Sequence, residues 1–189
     1  DNDGWVDLVL PRTGRIFRNE KGQRFREVTN LSNLGALIQA LAAPAESIAG
    51  IVPGDFNRDG LIDLYVTRAT PPTGSWLESK QPGMVANQLL QNQGNWSFFD
   101  ATERTKTGGG GRSCFAAVWT DINNDRWPDL YMINEFGNGA LFVNHEGRYF
   151  EERELIADQN DFGSMGLSCG DINNDGNIDI YVSNMYSKA

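Results

Sequence analysis

The chain has 189 residues and a formal net charge of −9, from 25 acidic and 16 basic side chains, and it contains two cysteines. Nucleic acid and anionic membranes bind basic surfaces, so an acidic chain of this kind predicts neither as a partner. No apolar run approaches the length that crosses a membrane. Two cysteines are too few for a disulfide framework, so we expect Cys114 and Cys169 to be free thiols.

An incomplete copy of a nine-residue motif opens the chain, and three complete copies follow it. The complete copies read DFNRDGLID at 55–63, DINNDRWPD at 121–129 and DINNDGNID at 171–179, all of the form D-x-N-x-D-x-x-x-D. The opening DNDGWVD, residues 1–7, matches positions 3 to 9 of the motif. We do not expect a natural chain end inside such a motif, so the sequence predicts a piece of a longer protein.

The motif predicts a calcium site. Alternate residues of a tight loop face the same side, so oxygen-bearing side chains at positions 1, 3, 5 and 9, with the backbone carbonyl of position 7, can surround one cation. Such a shell suits Ca²⁺, whereas Zn²⁺ prefers cysteine and histidine and Mg²⁺ needs stricter octahedral geometry. An EF-hand is excluded because it requires glutamate at position 12, where Val66, Met132 and Val182 stand. The predicted ligands are Asp55, Asn57, Asp59, Leu61 and Asp63; Asp121, Asn123, Asp125, Trp127 and Asp129; Asp171, Asn173, Asp175, Asn177 and Asp179; and, in the incomplete copy, Asp1, Asp3, Trp5 and Asp7.

Position 6 of the motif requires a sharp turn. Gly60 and Gly176 can adopt the left-handed backbone conformation that such a turn needs, but the middle copy has Arg126 there. A residue other than glycine loses free energy in that conformation. We therefore predict that the loop with Arg126 binds Ca²⁺ more weakly or bends differently.

A second repeated element lies between the loops. The segments FRNEKGQRF, LQNQGNWSF and FVNHEGRYF each place an asparagine six residues before a phenylalanine, with a hairpin turn between them. The pairs are Asn19 and Phe25, Asn92 and Phe98, and Asn144 and Phe150. Each unit then has a strand A before the metal loop, a strand B after it, a strand C ending at the asparagine and a strand D carrying the phenylalanine. Four-stranded units recurring every 50 to 66 residues predict β-propeller blades.

Together the loop and the asparagine element resemble the FG-GAP/VCBS repeat proteins, the seven-bladed β-propellers that include the integrin α-subunit head. The stretches GDINNDGNIDIYVSN and RNEKGQRFREVT are most similar to the ASPIC/UnbV branch of that family. The resemblance implies an all-β fold in which the loops between strands A and B bind Ca²⁺. It also implies that this chain is a fragment of about three four-stranded blades from a seven-bladed parent.

The repeats predict where the units begin and end. They are a partial blade at 1–30, a helical insertion at 31–47, a blade at 48–103, a flexible Gly-rich connector at 104–112, a blade at 113–154 and the start of the next blade at 155–189. In the insertion, Leu34, Leu37, Ile38 and Leu41 have helical spacing and Pro44 ends the pattern, which predicts a short helix capping the propeller edge.

Two further segments bear on function. A long loop from 69 to 86 separates strands B and C of one blade, and its Trp76 is predicted either to contact a partner or to cover the edge of its own blade. The GLSCG stretch around Ser168 matches G-x-S-x-G, but a catalytic serine of that kind needs a strand-to-helix turn, and this one precedes a metal loop. His145, the only histidine, is the only imidazole base the chain offers.

We therefore expect a non-enzymatic, Ca²⁺-stabilised β-propeller that binds a protein or glycan ligand. It would act at an extracellular, cell-surface or periplasmic location, where weak calcium sites are filled, and would pack against the remaining blades of the same polypeptide. Two alternatives are a structural subunit of a larger assembly or filament and a propeller enzyme acting on polysaccharides.

Overall fold

The computed structural model describes residues 1–11, 13–40, 47–69, 86–135, 137–153 and 163–185, and in them thirteen strands form four antiparallel sheets. The strands are β1 Leu8–Leu10, β2 Arg15–Asn19, β3 Phe25–Glu27, β4 Ser47–Gly54, β5 Asp63–Ala69, β6 Gln88–Asn92, β7 Phe98–Asp100, β8 Cys114–Thr120, β9 Asp129–Asn134, β10 Ala140–His145, β11 Tyr149–Arg153, β12 Ser164–Gly170 and β13 Asp179–Asn184. Three short helices join them: a 3-10 helix Thr29–Leu31, α1 Leu34–Ala40 and α2 Thr102–Thr105.

The strands follow one another across each sheet in chain order. Sheets β4-β5-β6-β7 and β8-β9-β10-β11 have four strands, β1-β2-β3 has three, and β12-β13 has two. The four-stranded sheets confirm the predicted order of strands A to D, with strand C ending near the asparagine and strand D beginning near the phenylalanine. The first sheet corresponds to strands B, C and D, and the last to strands A and B. This all-β arrangement is consistent with a fragment of a β-propeller.

Each B strand is apolar on both of its faces, and its burial depends on the neighbouring sheets. Tyr65, Tyr131 and Tyr181 occupy equivalent positions in β5, β9 and β13. Tyr65 is fully buried and Tyr131 is 6% exposed, whereas Tyr181 is 63% exposed. A single sheet cannot bury both of its apolar faces, so stacking of one sheet on the next supplies the core.

Aromatic side chains fill the junction between the second and third sheets. Trp119 at the end of β8 meets Tyr65 edge-on with ring centroids 6.3 Å apart and lies 6.1 Å from Phe150. The ring of Phe56, which is fully buried, also lies 6.1 Å from that of Phe150. The Trp119 indole N–H donates to the Val52 carbonyl at 3.4 Å, so this junction is held by both packing and a hydrogen bond.

The junction between the first and second sheets has smaller side chains at two of the positions that hold aromatic rings in the other junction. Val9 and Pro53 are the equivalents of Tyr65 and Trp119. A pocket of about 590 Å³ lies here, and Trp5, Val9 and Pro53 are among the residues that line it. The repeat therefore packs unevenly because two of the aromatic residues that close one junction are replaced by smaller residues at the other.

A helix, α1, lies in the segment predicted as a helical insertion. Helix α1 buries Leu34 and Ile38 in a cluster that joins the first and second sheets. Two buried side chains of the second sheet donate hydrogen bonds to carbonyls near the end of α1. Arg68 donates to the Ile38 carbonyl at 2.8 Å, and Gln88 donates to the Leu37 carbonyl at 3.2 Å. The predicted helix end at Leu41 and Pro44 lies outside the described residues.

The Gly-rich connector is packed against the sheets, in contrast to the flexible segment predicted for 104–112. The buried hydroxyl of Tyr65 donates to the Thr107 carbonyl at 2.8 Å, and the Arg112 guanidinium forms an ion pair with Glu152 at 2.5 Å. A Cβ on Gly109 would lie 3.0 Å from the Met132 methyl, so glycine permits the close approach. The sequence did not predict this because these partners lie far along the chain.

The cysteine prediction is confirmed, because Cys114 is buried and free and Cys169 is half-buried and free. Residues 70–85, including Trp76, lie outside the described part of the chain, so both interpretations of that loop stay predictions. In the residues that are described, no helix is long and apolar enough to cross a membrane.

Candidate metal-binding loops

The three complete motifs are the turns between strands A and B of three sheets. In each, the residue before position 1 pairs with the aspartate at position 9: Gly54 with Asp63, Thr120 with Asp129, and Gly170 with Asp179. The loop is therefore closed at its base by the sheet itself. Its ends cannot separate without breaking the strand pairing, so the side chains in between are confined to a small volume.

Two positions of every loop have a left-handed backbone. At position 4 the φ angles are 65° for Asn2, 57° for Arg58, 59° for Asn124 and 60° for Asn174. At position 6 they are 88° for Gly4, 85° for Gly60, 73° for Arg126 and 85° for Gly176. The sequence analysis expected this conformation only at position 6. Asparagine at position 4 in three of the four copies was the available signal, because asparagine tolerates left-handed backbone better than most residues.

Positions 1, 3 and 5 converge in the same way in all three complete loops. In the first, the Asp59 N–H donates to carboxylate and amide oxygens of Asp55 and Asn57 at 3.1 and 3.2 Å. The Gly60 N–H donates to the other Asp55 oxygen at 2.9 Å, and the Leu61 N–H donates to Asp59 at 2.8 Å. Corresponding bonds recur between 2.8 and 3.0 Å in the loops at 121 and 171. Oxygens of positions 1 and 3 thus surround a single N–H group.

The aspartate at position 9 lies at the base of each loop. Asp63 and Asp129 are fully buried. One Asp63 oxygen accepts from the N–H of Phe56 at position 2, at 3.2 Å, and the other from the Asn92 N–H at 2.7 Å. Asp129 has the equivalent bonds from Ile122 at 3.1 Å and Asn144 at 2.7 Å. Position 9 is therefore held by strand C as well as by its own loop.

These contacts explain the second repeated element. The side-chain amide of Asn92 donates to the position-8 carbonyl of Ile62 at 2.9 Å, and its oxygen accepts from the Gly94 N–H at 2.9 Å. Asn19 and Asn144 make the same two kinds of bond. The asparagine thus ties the candidate metal loop to the hairpin between strands C and D. Its fixed spacing was visible in the sequence, but its contact with the loop was not.

The incomplete loop at residues 1–7 carries a cationic side chain of the chain itself among its carboxylates. Arg18 forms ion pairs with Asp1 at 2.6 Å and Asp3 at 3.0 Å. The pKa of Asp3 is lowered, first by the hydrogen bond from the Trp5 N–H and then by Arg18. The equivalents of Arg18 in the next two sheets are Gln91 and Val143, so this internal cation is not part of the repeat.

The donor set fits a cation that prefers oxygen. Each complete loop brings together aspartates, one asparagine and backbone groups, and the shell contains no nitrogen or sulfur ligand. In the described residues, no three Asp, Glu, His or Cys side chains by themselves form a metal-holding group. The predicted shell adds the asparagine oxygen at position 3 and the carbonyl at position 7 to the three aspartates of each complete loop.

Burial makes the charged form of the position-9 carboxylates costly. It raises the pKa of Asp63 from 3.8 to about 7; Asp59 and Asp55 raise it further, while the N–H groups of Asn92 and Phe56 oppose the rise. Burial is also the largest cause of the raised pKa of Asp129. A bound divalent cation would supply the positive charge that favours ionised carboxylates here.

The raised pKa of Asp63 predicts how the metal-free protein responds to pH. The folded state holds this proton more tightly than the unfolded chain, so the contribution to stability is full below the ordinary value of 3.8 and is lost as the pH rises to about 7. Urea unfolding in chelator at several pH values should show stability falling across this range. The Asp63→Asn variant should flatten that fall, and an unchanged slope would contradict the assignment.

Arg126 adopts the turn that glycine adopts in the other loops. Its φ of 73° is close to the 85° of Gly60 and Gly176, and its N–H makes the same bond to position 1, at 2.8 Å to Asp121. The prediction that this loop bends differently is therefore wrong: the hydrogen bonds of the loop hold the residue in the left-handed region. Weaker cation binding by this loop stays a prediction.

Replacing Arg126 by glycine should relieve this strain. We expect Arg126→Gly to raise the free energy of unfolding by about 1 kcal/mol, because a non-glycine residue in left-handed backbone costs about 1–2 kcal/mol. Urea unfolding measures the change. Gly176→Arg is the reciprocal control and should lower stability by a similar amount; equal stability of all three proteins would contradict the argument.

Ser168 lies within a strand. It is in β12 opposite Tyr181, and not at a strand-to-helix turn. His145 is on β10 in another sheet, where its ring stacks on Tyr149 at 4.6 Å and bonds to Glu151 at 3.2 Å. The G-x-S-x-G stretch is thus part of a strand leading into a candidate metal loop.

The family comparison agrees with the position of these loops. A family model described as FG-GAP-like repeat matches residues 1–66 and 121–182, more than half of the chain. Both matched segments end within the B strand that follows a complete loop, so the match contains all four copies of the motif and at least the beginning of the strand after each. No curated protein matches the chain.

Proposed function

Since this chain belongs to the FG-GAP-like repeat family, we propose that it is a propeller-type interaction module whose blades are stabilised by Ca²⁺. The single observation that carries the calcium proposal is the common geometry of the three complete loops. Unrelated turns would not share the same bonds from positions 5, 6 and 7 to the side chains of positions 1, 3 and 5. We propose the predicted residues at positions 1, 3, 5, 7 and 9 as the ligands.

In this proposal the metal is structural. The loop residues would hold Ca²⁺, and the ion would supply the positive charge that lets converging carboxylates remain ionised at neutral pH. The loop closes the hairpin between strands A and B and is bonded to strand C, so holding it holds three strands of the sheet. Binding that occurs only in the folded state adds its free energy to stability.

The test is thermal unfolding in Ca²⁺ and in chelator. A site filled to one hundred times its dissociation constant adds about 2.7 kcal/mol, which raises the melting midpoint of a domain of this size by about 5–10 °C. Mg²⁺ at the same concentration is the control and should have a smaller effect. Identical melting curves in Ca²⁺ and chelator would refute the structural role.

We further propose that the module is non-enzymatic and works outside the cytoplasm, at an extracellular, cell-surface or periplasmic location. Extracellular modules bind Ca²⁺ with dissociation constants of about 10⁻⁴–10⁻³ M, which suits exposed loops of this kind. Its partners in this proposal are a protein or glycan ligand and further blades. The exposed apolar residues Ile172, Tyr181 and Met185, in the last sheet or next to it, support packing against another blade. A structural subunit and a polysaccharide-active enzyme remain hypotheses.

A further inference from the structure

One buried side chain contacts two neighbouring metal loops. Asn144, at the end of strand C in the third sheet, is 2% exposed. Its side-chain amide donates to the carbonyls of Pro128, in the loop of its own sheet, and of Phe56, in the loop of the sheet before, each at 2.9 Å. Its backbone N–H donates to Asp129 at 2.7 Å. Both loops are thus bonded to the same residue.

The bonds continue to the position-9 carboxylate of the other loop. The N–H of Phe56 donates to Asp63 at 3.2 Å, while its carbonyl accepts from Asn144. A hydrogen-bonded path therefore runs from Asp63 through Phe56 and Asn144 to Asp129. Its two ends are proposed ligands of two different cations.

Asn57 and Arg58, which follow Phe56 in the loop at Asp55–Asp63, contact the third sheet as well. A Cβ on Gly147 would lie 2.8 Å from the Asn57 Cα, so the hairpin of the third sheet lies directly against position 3. The guanidinium of Arg58 lies over the ring of Trp127, 5.2 Å from its centroid. Positions 2, 3 and 4 of one loop are therefore all positioned by the neighbouring sheet.

We propose that the loops at Asp55–Asp63 and Asp121–Asp129 bind Ca²⁺ cooperatively and that Asn144 is the positioning residue that couples them. This inference rests on the proposed calcium function. An ion in the loop at Asp121–Asp129 holds Asp129, which accepts from the Asn144 N–H, and so fixes Asn144. The Asn144 amide then holds the Phe56 carbonyl, which keeps Phe56 where its N–H donates to Asp63, so the loop at Asp55–Asp63 is already ordered when its ion binds. The coupling is reciprocal, as equilibrium linkage requires.

Asn92 provides a matched control. It is the equivalent of Asn144 in the second sheet, and its amide donates to the Ile62 carbonyl at 2.9 Å. Within the described part of the chain it makes no hydrogen bond to the loop of the first sheet. Replacing Asn92 removes the bond to its own loop but leaves the path between the two loops in place.

The experiment measures the coupling by calorimetric titration of the full chain with Ca²⁺. Asp3→Asn, Asp171→Asn and Asp175→Asn remove the other loops from all proteins. Two further proteins then keep a single loop each. One loses the loop at Asp55–Asp63 through Asp55→Asn and Asp59→Asn, and the other loses the loop at Asp121–Asp129 through Asp121→Asn and Asp125→Asn. The coupling factor is the overall affinity of the two-loop protein divided by the product of the two single-loop affinities. We expect a factor of about 5 or more.

Asn144→Ala should bring the coupling factor to about one. Asn92→Ala should weaken Ca²⁺ binding by the loop at Asp55–Asp63 but leave the coupling factor unchanged. A factor of one with Asn144 present, in a protein that binds two ions, would overturn the coupling and leave the calcium function standing. Absence of any Ca²⁺ binding would overturn both. Should Asn144→Ala fail to fold, Asn144→Ser tests the same path, because one hydroxyl hydrogen cannot serve two carbonyls.

Discussion

Replacing Phe56 by alanine is expected to lower the free energy of unfolding by about 3–5 kcal/mol. The Phe56 ring is fully buried, lies 6.1 Å from the ring of Phe150 and belongs to the cluster that joins the second and third sheets. The same cluster contains Tyr65 and contacts Trp119, so a cavity here weakens the junction and not just one sheet. Urea unfolding followed by tryptophan fluorescence measures the loss.

Phe99 is the control for this substitution. It is a phenylalanine of the second sheet that is 54% exposed, so Phe99→Ala should change stability by less than about 0.5 kcal/mol. The backbone bonds of Phe56 to Asp63 and Asn144 do not use the ring and should persist in the alanine variant. Similar losses in the two variants would show that the junction does not depend on Phe56.

Replacing Gly147 by alanine should cost about 2–5 kcal/mol. Its φ of 70° is a left-handed conformation that costs a non-glycine residue about 1–2 kcal/mol. The new Cβ would also lie 2.8 Å from the Cα of Asn57, which is backbone and cannot rotate away. Overpacking of that kind adds about 1–3 kcal/mol. Urea unfolding in Ca²⁺ and in chelator gives the total.

Gly94 separates the two contributions. It lies in the equivalent hairpin of the second sheet with a φ of 77°, and a Cβ there would meet nothing within 4 Å. Gly94→Ala should therefore show only the conformational cost, about 1–2 kcal/mol. Because Asn57 is a proposed ligand, Gly147→Ala should in addition weaken Ca²⁺ binding by the loop at Asp55–Asp63. Equal effects of the two substitutions would contradict the close contact between the sheets.

Much of the local architecture could be predicted from the sequence. The order of strands A to D, the helix beginning at Leu34 and the loop between strands A and B all follow from short-range spacing, and the structure contains each of them. The doubly apolar B strands were recognisable because both alternations are hydrophobic, and β9 is buried along its whole length. Convergence of positions 1, 3 and 5 was also predictable, since those residues are close in the chain.

Contacts between residues far apart in the chain could not be predicted. The turn at Arg126 was expected to differ, but its loop imposes the glycine-like conformation through bonds to Asp121 and Asp125. The packed connector depends on Tyr65, which is 42 residues from its partner Thr107. The left-handed backbone at position 4 was not predicted because one copy has Arg58 there, whereas the other copies share an asparagine.

The repeated motif by itself therefore determined which side chains gather in each loop and what cation chemistry they favour, because ligands within nine residues meet through local turns. Only the tertiary structure decided how the loops relate to one another. The contact of Asn144 with the Phe56 carbonyl joins residues 88 positions apart, and it exists because one sheet stacks on the next. Spacing within a repeat specifies a loop, whereas the packing between repeats specifies which loops can influence each other.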